Sequence, residues 1–245
     1  MTTCCLYKSG NAKRKAAYKA VFCFQAIDSG SNRTDCTPLI KHNIGVFYFE
    51  NLNMTEFEKM SQGLAFNGGD DGISAIRANA FVHLQALNAQ RSDNITDIAQ
   101  KLFGHFDPES MVMTPFQCEF GKNIHIGRQT FLNMGVVMLD GAPITLGNNV
   151  LVGPNCQFYT AGHPLDYRRR RQWETFCKPI VVENDVWIGG NVVVCQGVTI
   201  GARSVIAANS VVTQDVPPDS LVGGTPAKVI RKIHENGDTD ALETA

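Results

Sequence analysis

A mainly β chain, wound as a left-handed parallel β-helix behind a small helical N-terminal domain, is what this sequence predicts, on three observations. Every sixth residue from Val182 is aliphatic: Val182, Ile188, Val194, Ile200, Ile206 and Val212. Four residues after each of the first five stands something small or β-branched (Val186, Val192, Val198, Ser204, Ser210), and Gly189 and Gly201 follow their aliphatics directly. Ahead of the repeat, residues 54–90 space their apolar side chains as helices do. A period of six is neither the ~3.6 of a helix nor the 2 of a strand. It fits a chain that runs a short strand, turns a corner and runs again, three sides to a coil, with coils paired roughly 4.8 Å apart.

In chain order, residues 1–53 are an extension of unknown structure. Lys13-Arg14-Lys15 before Ala16–Ile27 superficially resembles a signal peptide, but Lys19 and Gln25 interrupt the apolar stretch. Val46-Phe47-Tyr48-Phe49 has strand-like content. The helical domain spans 54–103. Thr55 is placed to cap a helix carrying Phe57, Met60 and Leu64, and Asn67-Gly68-Gly69-Asp70-Asp71-Gly72 breaks it. A second helix over 73–89 shows Ile76, Ala80, Phe81, Leu84 and Leu87 on one side, and a third runs from Ile95 to Phe103. Such a block covers the open end of a solenoid.

The β-helix is expected over 104–216. Phe120, Ile126, Leu132 and Met138 take inward slots, Asp140 to Pro143 shifts the phase, and Leu146, Val152 and Phe158 resume it. Residues 159–179, including Arg168–Arg171, fit no hexapeptide and read as a loop thrown out from one corner; long loops in compact folds are usually functional or disordered. Val216-Pro217-Pro218 ends the ladder, and 217–245 is expected as a strand, a helix and a tail.

The 245 residues carry a net charge of −1, so no global field draws the protein to nucleic acid or to an anionic membrane. No apolar run approaches the ~20 residues of a membrane span. Eight cysteines (Cys4, Cys5, Cys23, Cys36, Cys118, Cys156, Cys177, Cys195) form no C-x-x-C pair and read as reduced thiols of a cytoplasmic protein.

His163, between Gly162 and Pro164 at the mouth of the loop, leads the candidates for chemistry, since a held imidazole can take a proton from a hydroxyl at neutral pH. A turn histidine bonded to nearby backbone is the plainer reading. Asn133 follows an inward slot, where its amide can hold an oxyanion or simply form a corner. Asp140 can orient a polar substrate or close its own turn. Trp187 faces out of the coil, suited to stacking or to burial between subunits. The arginine run reads first as a solvated loop face. His125 and His163, the histidines weighed as zinc ligands, are too few and too far apart for a zinc site, so no metal is expected. Phosphate-loop, serine-hydrolase elbow and helical H-E-x-x-H patterns are absent.

Asn123-Ile124-His125-Ile126-Gly127, Gly162-His163-Pro164, Asn184-Asp185-Val186-Trp187-Ile188-Gly189-Gly190, Pro217-Pro218 and Gly223 to Arg231 together resemble the maltose and galactoside O-acetyltransferases, the sugar branch of the hexapeptide acyltransferases. The resemblance covers about 54–234. It implies a homotrimer with three clefts between subunits, acetyl-CoA as donor, and direct transfer to a sugar hydroxyl. His163 matches the general base and Asn133 an asparagine at the acceptor and tetrahedral intermediate. Gly190, Ala208, Thr213 and Gln214 match the coenzyme cleft, which Trp187 should line, and Lys228 and Arg231 match basic residues near the coenzyme's phosphates.

The acceptor side departs from the pattern. An acceptor-contacting aspartate expected after Phe66 is replaced by Asn67-Gly68-Gly69, leaving Asp70 or Asp71 to substitute if the loop shifts. Glu119 replaces a small hydroxyl residue, Asp140-Gly141 keeps one carboxylate of a pair, and Gln214 stands where lysine is common. The reading is therefore an acetyl-CoA-dependent sugar O-acetyltransferase. The alternatives are a sibling acyltransferase acting on a non-sugar hydroxyl or amine, and a non-catalytic β-helix scaffold.

Overall fold

The structure is a computed structural model that describes residues 54–89 and 95–233. The expectations for 1–53, for the turn at 91–94 and for the tail from 236 fall outside the described residues.

Thr55 caps helix α1 (Glu56–Ser61). Its hydroxyl accepts the Glu58 N–H, and the Glu58 carboxylate accepts the Thr55 N–H at 2.7 Å, a reciprocal box that satisfies two otherwise orphaned donors. Leu64, expected on this helix, lies beyond it and is exposed. Helix α2 (Asp71–Ala89) begins two residues before the expected start because the Asp70 carboxylate accepts the Gly72 and Ile73 N–H groups. It buries Ile73, Ala80 and Leu87, whereas Phe81, expected on the same stripe, is 58% exposed, one residue and about 100° off that face. Helix α3 (Ile95–Leu102) buries Ala99 and Leu102 against the first coil, where Phe103 meets Phe116 edge-to-face at 5.3 Å.

The solenoid follows. Its first coil is β1 (His105–Phe106), β2 (Met111–Val112) and β3 (Gln117–Cys118). The second is β4 (Ile124–Ile126), β5 (Phe131–Leu132) and β6 (Val137–Leu139), and the third is β7 (Ile144–Leu146), β8 (Leu151–Val152) and β9 (Gln157–Tyr159). A strap then leaves the coil as β10 (Ala161–Gly162), helix α4 (Tyr167–Arg170) and β11 (Phe176–Cys177). The fourth coil is β12 (Ile180–Val182), β13 (Trp187–Ile188) and β14 (Val193–Cys195); the fifth is β15 (Thr199–Ile200), β16 (Val205–Ile206) and β17 (Val211–Val212). A hairpin, β18 (Ser220–Gly224) and β19 (Ala227–Lys232), closes the described chain.

Parallel pairing builds three sheets, A (β1-β4-β7-β12-β15), B (β2-β5-β8-β13-β16-β18, extended by the antiparallel β19) and C (β3-β6-β9-β14-β17). Register stacks Phe106, Ile126, Leu146, Val182 and Ile200 inside A, and Val112, Leu132, Val152, Ile188, Ile206 and Val222 inside B. The predicted inward slots and their small partners Val186, Val192, Val198, Ser204 and Ser210 are all buried. Corners need a left-handed residue, and polar side chains such as Asn149, Asp185 and Asn209 supply it at φ 56–61°. Coils approach so closely that a Cβ on Gly127 would stand 2.6 Å from the Gly147 carbonyl oxygen.

Two expectations need correction. Phe120 is buried, but in a separate cluster with Met60, Ile73, Ala142 and Cys177, because it turns outward at a corner to meet the helical block. The helix expected near the C-terminus is the strand β19, antiparallel to β18 through a turn at Gly224 (φ 101°) and Pro226. Val229 and Ile230 favour a strand, and β19 satisfies the free edge that β18 would leave.

Candidate active site

One corner gathers two of the acceptor-side candidates, Glu119 and Asp140. The chain leaves sheet C toward sheet A at Glu119, Asp140-Gly141, Ala161, Gln196 and Thr213-Gln214 in successive coils. From this corner the strap departs at the third coil, its two ends zipped by the antiparallel pair Ala161–Cys177 and Gly162–Phe176. A Cβ at Gly162 would run into the Gln196 amide one coil on, which is why glycine precedes the histidine.

His163 stands on the strap with Nδ1 2.9 Å from the Glu174 carbonyl oxygen. A carbonyl only accepts, so Nδ1 carries the hydrogen, and in the neutral ring Nε2 is the acceptor. Thr175 Oγ1 lies 3.4 Å from the same nitrogen and donates to the Trp173 carbonyl. Arg169 holds the Glu174 carboxylate with two bonds, Arg170 donates to the Pro164 and Leu165 carbonyls, and Arg168 and Arg171 lie over the Tyr167 ring. The arginine run thus folds the strap onto itself.

A cavity of about 950 Å³ opens between strap and helical block, lined by Phe66 to Gly69, Arg77, Glu119, Phe120, Gly141, Ala161 and residues 172–177. Glu119 accepts from Arg77 Nη2 at 2.9 Å, and the Arg77 guanidinium lies 5.1 Å above the Phe120 ring. The wall is therefore an ion pair backed by an aromatic ring.

The other expected carboxylates do not face the cavity. Asp140 is fully buried; its Oδ1 accepts the Glu119 and Phe120 N–H groups, and Oδ2 has no partner. Burial pushes its carboxyl up to about 6 against the pull of those backbone donors. Asp140 shapes the wall from beneath instead of touching a ligand. Asp70 is committed to capping α2, Asp71 opens that helix, and Asn67 lines the cavity in their place. Gly141 also has a cause: a Cβ there would meet Cys177 Sγ at 2.7 Å, so the cysteine fills the space of the missing carboxylate.

A second corner, from sheet B to sheet C, carries Asn133, Gly153, Gly189 and Ala207 in successive coils, each followed by the row that includes Gly190 and Ala208. Asn133 Oδ1 accepts the Met134 N–H at 2.8 Å. A Cβ on Gly189 would lie 2.7 Å from the Ala208 nitrogen, so this edge is bare backbone. Trp187 faces outward on sheet B, in register with Leu151 and Val205, and Lys228 and Arg231 project from β19.

His163 and Asn133 therefore stand at opposite edges of sheet C, and one chain does not bring them together. Thr213 and Gln214 share the strap's corner, whereas Gly190 and Ala208 share that of Asn133. Sequence reasoning missed Glu174, Arg77, Trp173 and Cys177. Glu174 acts through a carbonyl that every residue owns, and Arg77 meets a partner 42 positions away.

The four described cysteines are free. Burial and the charge of Glu119 push the Cys177 thiol up to about 11, and burial with Asp140 pushes Cys118 higher still. Both remain thiols at neutral pH. Among the described residues, no group of three His, Cys, Asp or Glu side chains is placed to hold a metal ion.

The family model for the bacterial transferase hexapeptide (six repeats) matches residues 179–214, the fourth and fifth coils, so the class is that of hexapeptide-repeat transferases. Galactoside O-acetyltransferase of Escherichia coli is 33% identical over 187 residues, 75% of this chain and 92% of that protein. A hexapeptide-repeat acetyltransferase of Vibrio cholerae, solved in complex with acetyl coenzyme A, is 59% identical with a TM-score of 0.72, covering 74% of this chain and 100% of that one. A maltose O-acetyltransferase structure from Clostridium difficile is 37% identical with a TM-score of 0.72, covering 74% and 99%. The chain belongs to the maltose and galactoside O-acetyltransferase family of hexapeptide-repeat acetyltransferases.

Proposed function

We propose that this acetyltransferase uses acetyl-CoA to acetylate a sugar hydroxyl by direct attack, with His163 as general base. The observation that carries the proposal is the bond from His163 Nδ1 to the carbonyl of Glu174, a residue that lines the large cavity, which leaves Nε2 as the ring nitrogen able to accept a proton. Nε2 takes the acceptor's proton, the oxygen attacks the thioester carbonyl, and the imidazolium returns its proton to the departing thiolate. The amide of Asn133, its oxygen turned to Met134, keeps its N–H groups for the oxyanion. Cys177, held as a thiol on the cavity wall, is a poor nucleophile for a covalent intermediate.

Acetyl-CoA, the co-substrate, suits the bare-backbone corner at Gly189 to Ala208, with Lys228 and Arg231 available to its phosphates and Trp187, Gly190, Thr213 and Gln214 along its path. These residues divide between two corners, as His163 and Asn133 do. A homotrimer answers both divisions, with the strap corner of one chain facing the Asn133 corner of the next. The outer row of sheet B (Met111, Phe131, Leu151, Trp187, Val205 and Leu221) offers an apolar ladder for such association. The free thiols suit a reducing compartment, so a cytoplasmic location is part of the proposal.

The Arg77–Glu119 pair and the Gly141–Cys177 exchange favour a second reading, the same chemistry on a non-sugar hydroxyl or amine. Thiol release from acetyl-CoA, measured over pyranosides, amino acids and aromatic alcohols, separates them. Release with a pyranoside, lowered about 10²- to 10⁴-fold in His163→Ala, is the expected result. Release confined to a non-sugar would move the acceptor class. No release, with no thermal shift on adding acetyl-CoA, would leave a scaffold.

A further inference from the structure

Trp173 is the one bulky apolar residue with a left-handed backbone among the described residues. Its φ is 59°, and the other non-glycine residues with positive φ are polar residues at turns between solenoid strands. A left-handed conformation in a bulky side chain is an outlier that persists only where surrounding bonds impose it, and such outliers gather at ligand sites. The bonds are present. The Trp173 N–H donates to the Arg170 carbonyl at 2.9 Å, and the Trp173 carbonyl accepts from Thr175 Oγ1 at 3.0 Å. The neighbouring Glu174 is pinned by Arg169 and supplies the carbonyl that orients His163.

This arrangement does not bury the indole; the residue is 85% exposed, on the wall of the cavity that Phe66 and Asn67 also line. A strained backbone that holds a large ring out in water, next to a proposed base, implies that something covers the ring during function. The cavity, about 950 Å³, lies at the upper end of the ~300–1,000 Å³ range for small-molecule sites, so it has room beyond the ring that reacts. The apolar face of a second ring is what an exposed indole recognises.

Building on the sugar-acceptor reading, we infer that Trp173 is an acceptor platform and that the preferred substrate is a glycoside with a second ring, sugar or aryl, stacked on the indole. Trp173 is a specificity residue, and the chemistry stays with His163. The inference predicts how kcat/KM divides between a methyl pyranoside and the phenyl pyranoside of the same sugar.

The variants are Trp173→Gly, which fits the left-handed backbone without strain, and Trp173→Phe, which keeps a ring. In Trp173→Gly the preference for the phenyl glycoside should fall about 3- to 10-fold, the range of an aromatic contact, chiefly through KM. Trp173→Phe should recover most of it. Equal losses with both acceptors, or an unchanged preference, would overturn the inference and leave the residue as a strap support. Dissociation of the Trp173→Gly assembly on size exclusion would overturn it in favour of an interface anchor. Failure of the unaltered protein to acetylate either pyranoside would instead remove the sugar reading on which the inference rests.

Discussion

Asp140 shows what a single carboxyl can do without meeting a ligand. Burial raises it from an ordinary value of 3.8 to about 6, so the folded state prefers the proton. An acid raised in this way favours folding while it is protonated, and the unfolded chain ionises first as pH rises. Stability should therefore fall from near pH 4 and level off above about 6. The loss between pH 4.5 and 7.5 should be about 2 kcal/mol, and Asp140→Asn should flatten it in thermal melts at fixed protein concentration. A steeper fall in the variant would mean that another group titrates. Neither Asp140's burial nor its backbone partners were legible in the sequence, where a phase break placed it at a corner but gave no direction. His163 was legible because glycine and proline flank it. Its Glu174 partner was not, since a carbonyl leaves no mark in residue type.

The element most legible in the sequence was the coil, because each six-residue side repeats the same inward choice and the ladder stacks like on like. Register enforces this, since a slip of one residue would turn Val182, Ile188 and Val194 outward together. The close spacing gives a paired test. Gly127→Ala places a Cβ 2.6 Å from backbone and should cost roughly 1–3 kcal/mol in urea unfolding. Gly68→Ala meets the Phe66 ring at an ordinary 3.6 Å and should stay within about 0.5 kcal/mol. Equal effects would mean that the coils yield more easily than their geometry implies. Misreadings clustered where the repeat meets something else. Phe120 keeps the hexapeptide phase yet faces the helical block, and the stretch of β19 reads as a helix because pairing with an edge has no local signature.

At the scale of the whole molecule, the separation of His163 and Asn133 across sheet C makes a prediction that no single chain can meet. If each site is built from two neighbours, His163→Ala and Asn133→Ala should each be nearly inactive alone. Unfolded together and refolded as mixed trimers, they should regain about a quarter of the activity, since random assembly gives each interface one chance in four of combining the two intact residues. No recovery would mean that both residues serve the same chain. Leu151→Glu, in the middle of the outer ladder of sheet B, should release monomers in sedimentation and abolish transfer with them. A fully active monomer would remove the trimer from the proposal. The apolar outer ladder of sheet B was not legible from the repeat period, which reports the inside of the coil and says nothing of which outer face is apolar.

The zipped base of the strap has an evolutionary consequence. Because Ala161 and Gly162 pair with Cys177 and Phe176, the segment between is a closed loop whose ends the solenoid fixes whatever lies between them. Closing a flexible loop twice as long costs only about 0.6 kcal/mol more. Selection can therefore lengthen, shorten or rewrite residues 164–173 while the β-helix folds unchanged, so that new acceptors arise by exchanging a cassette and leaving the scaffold alone.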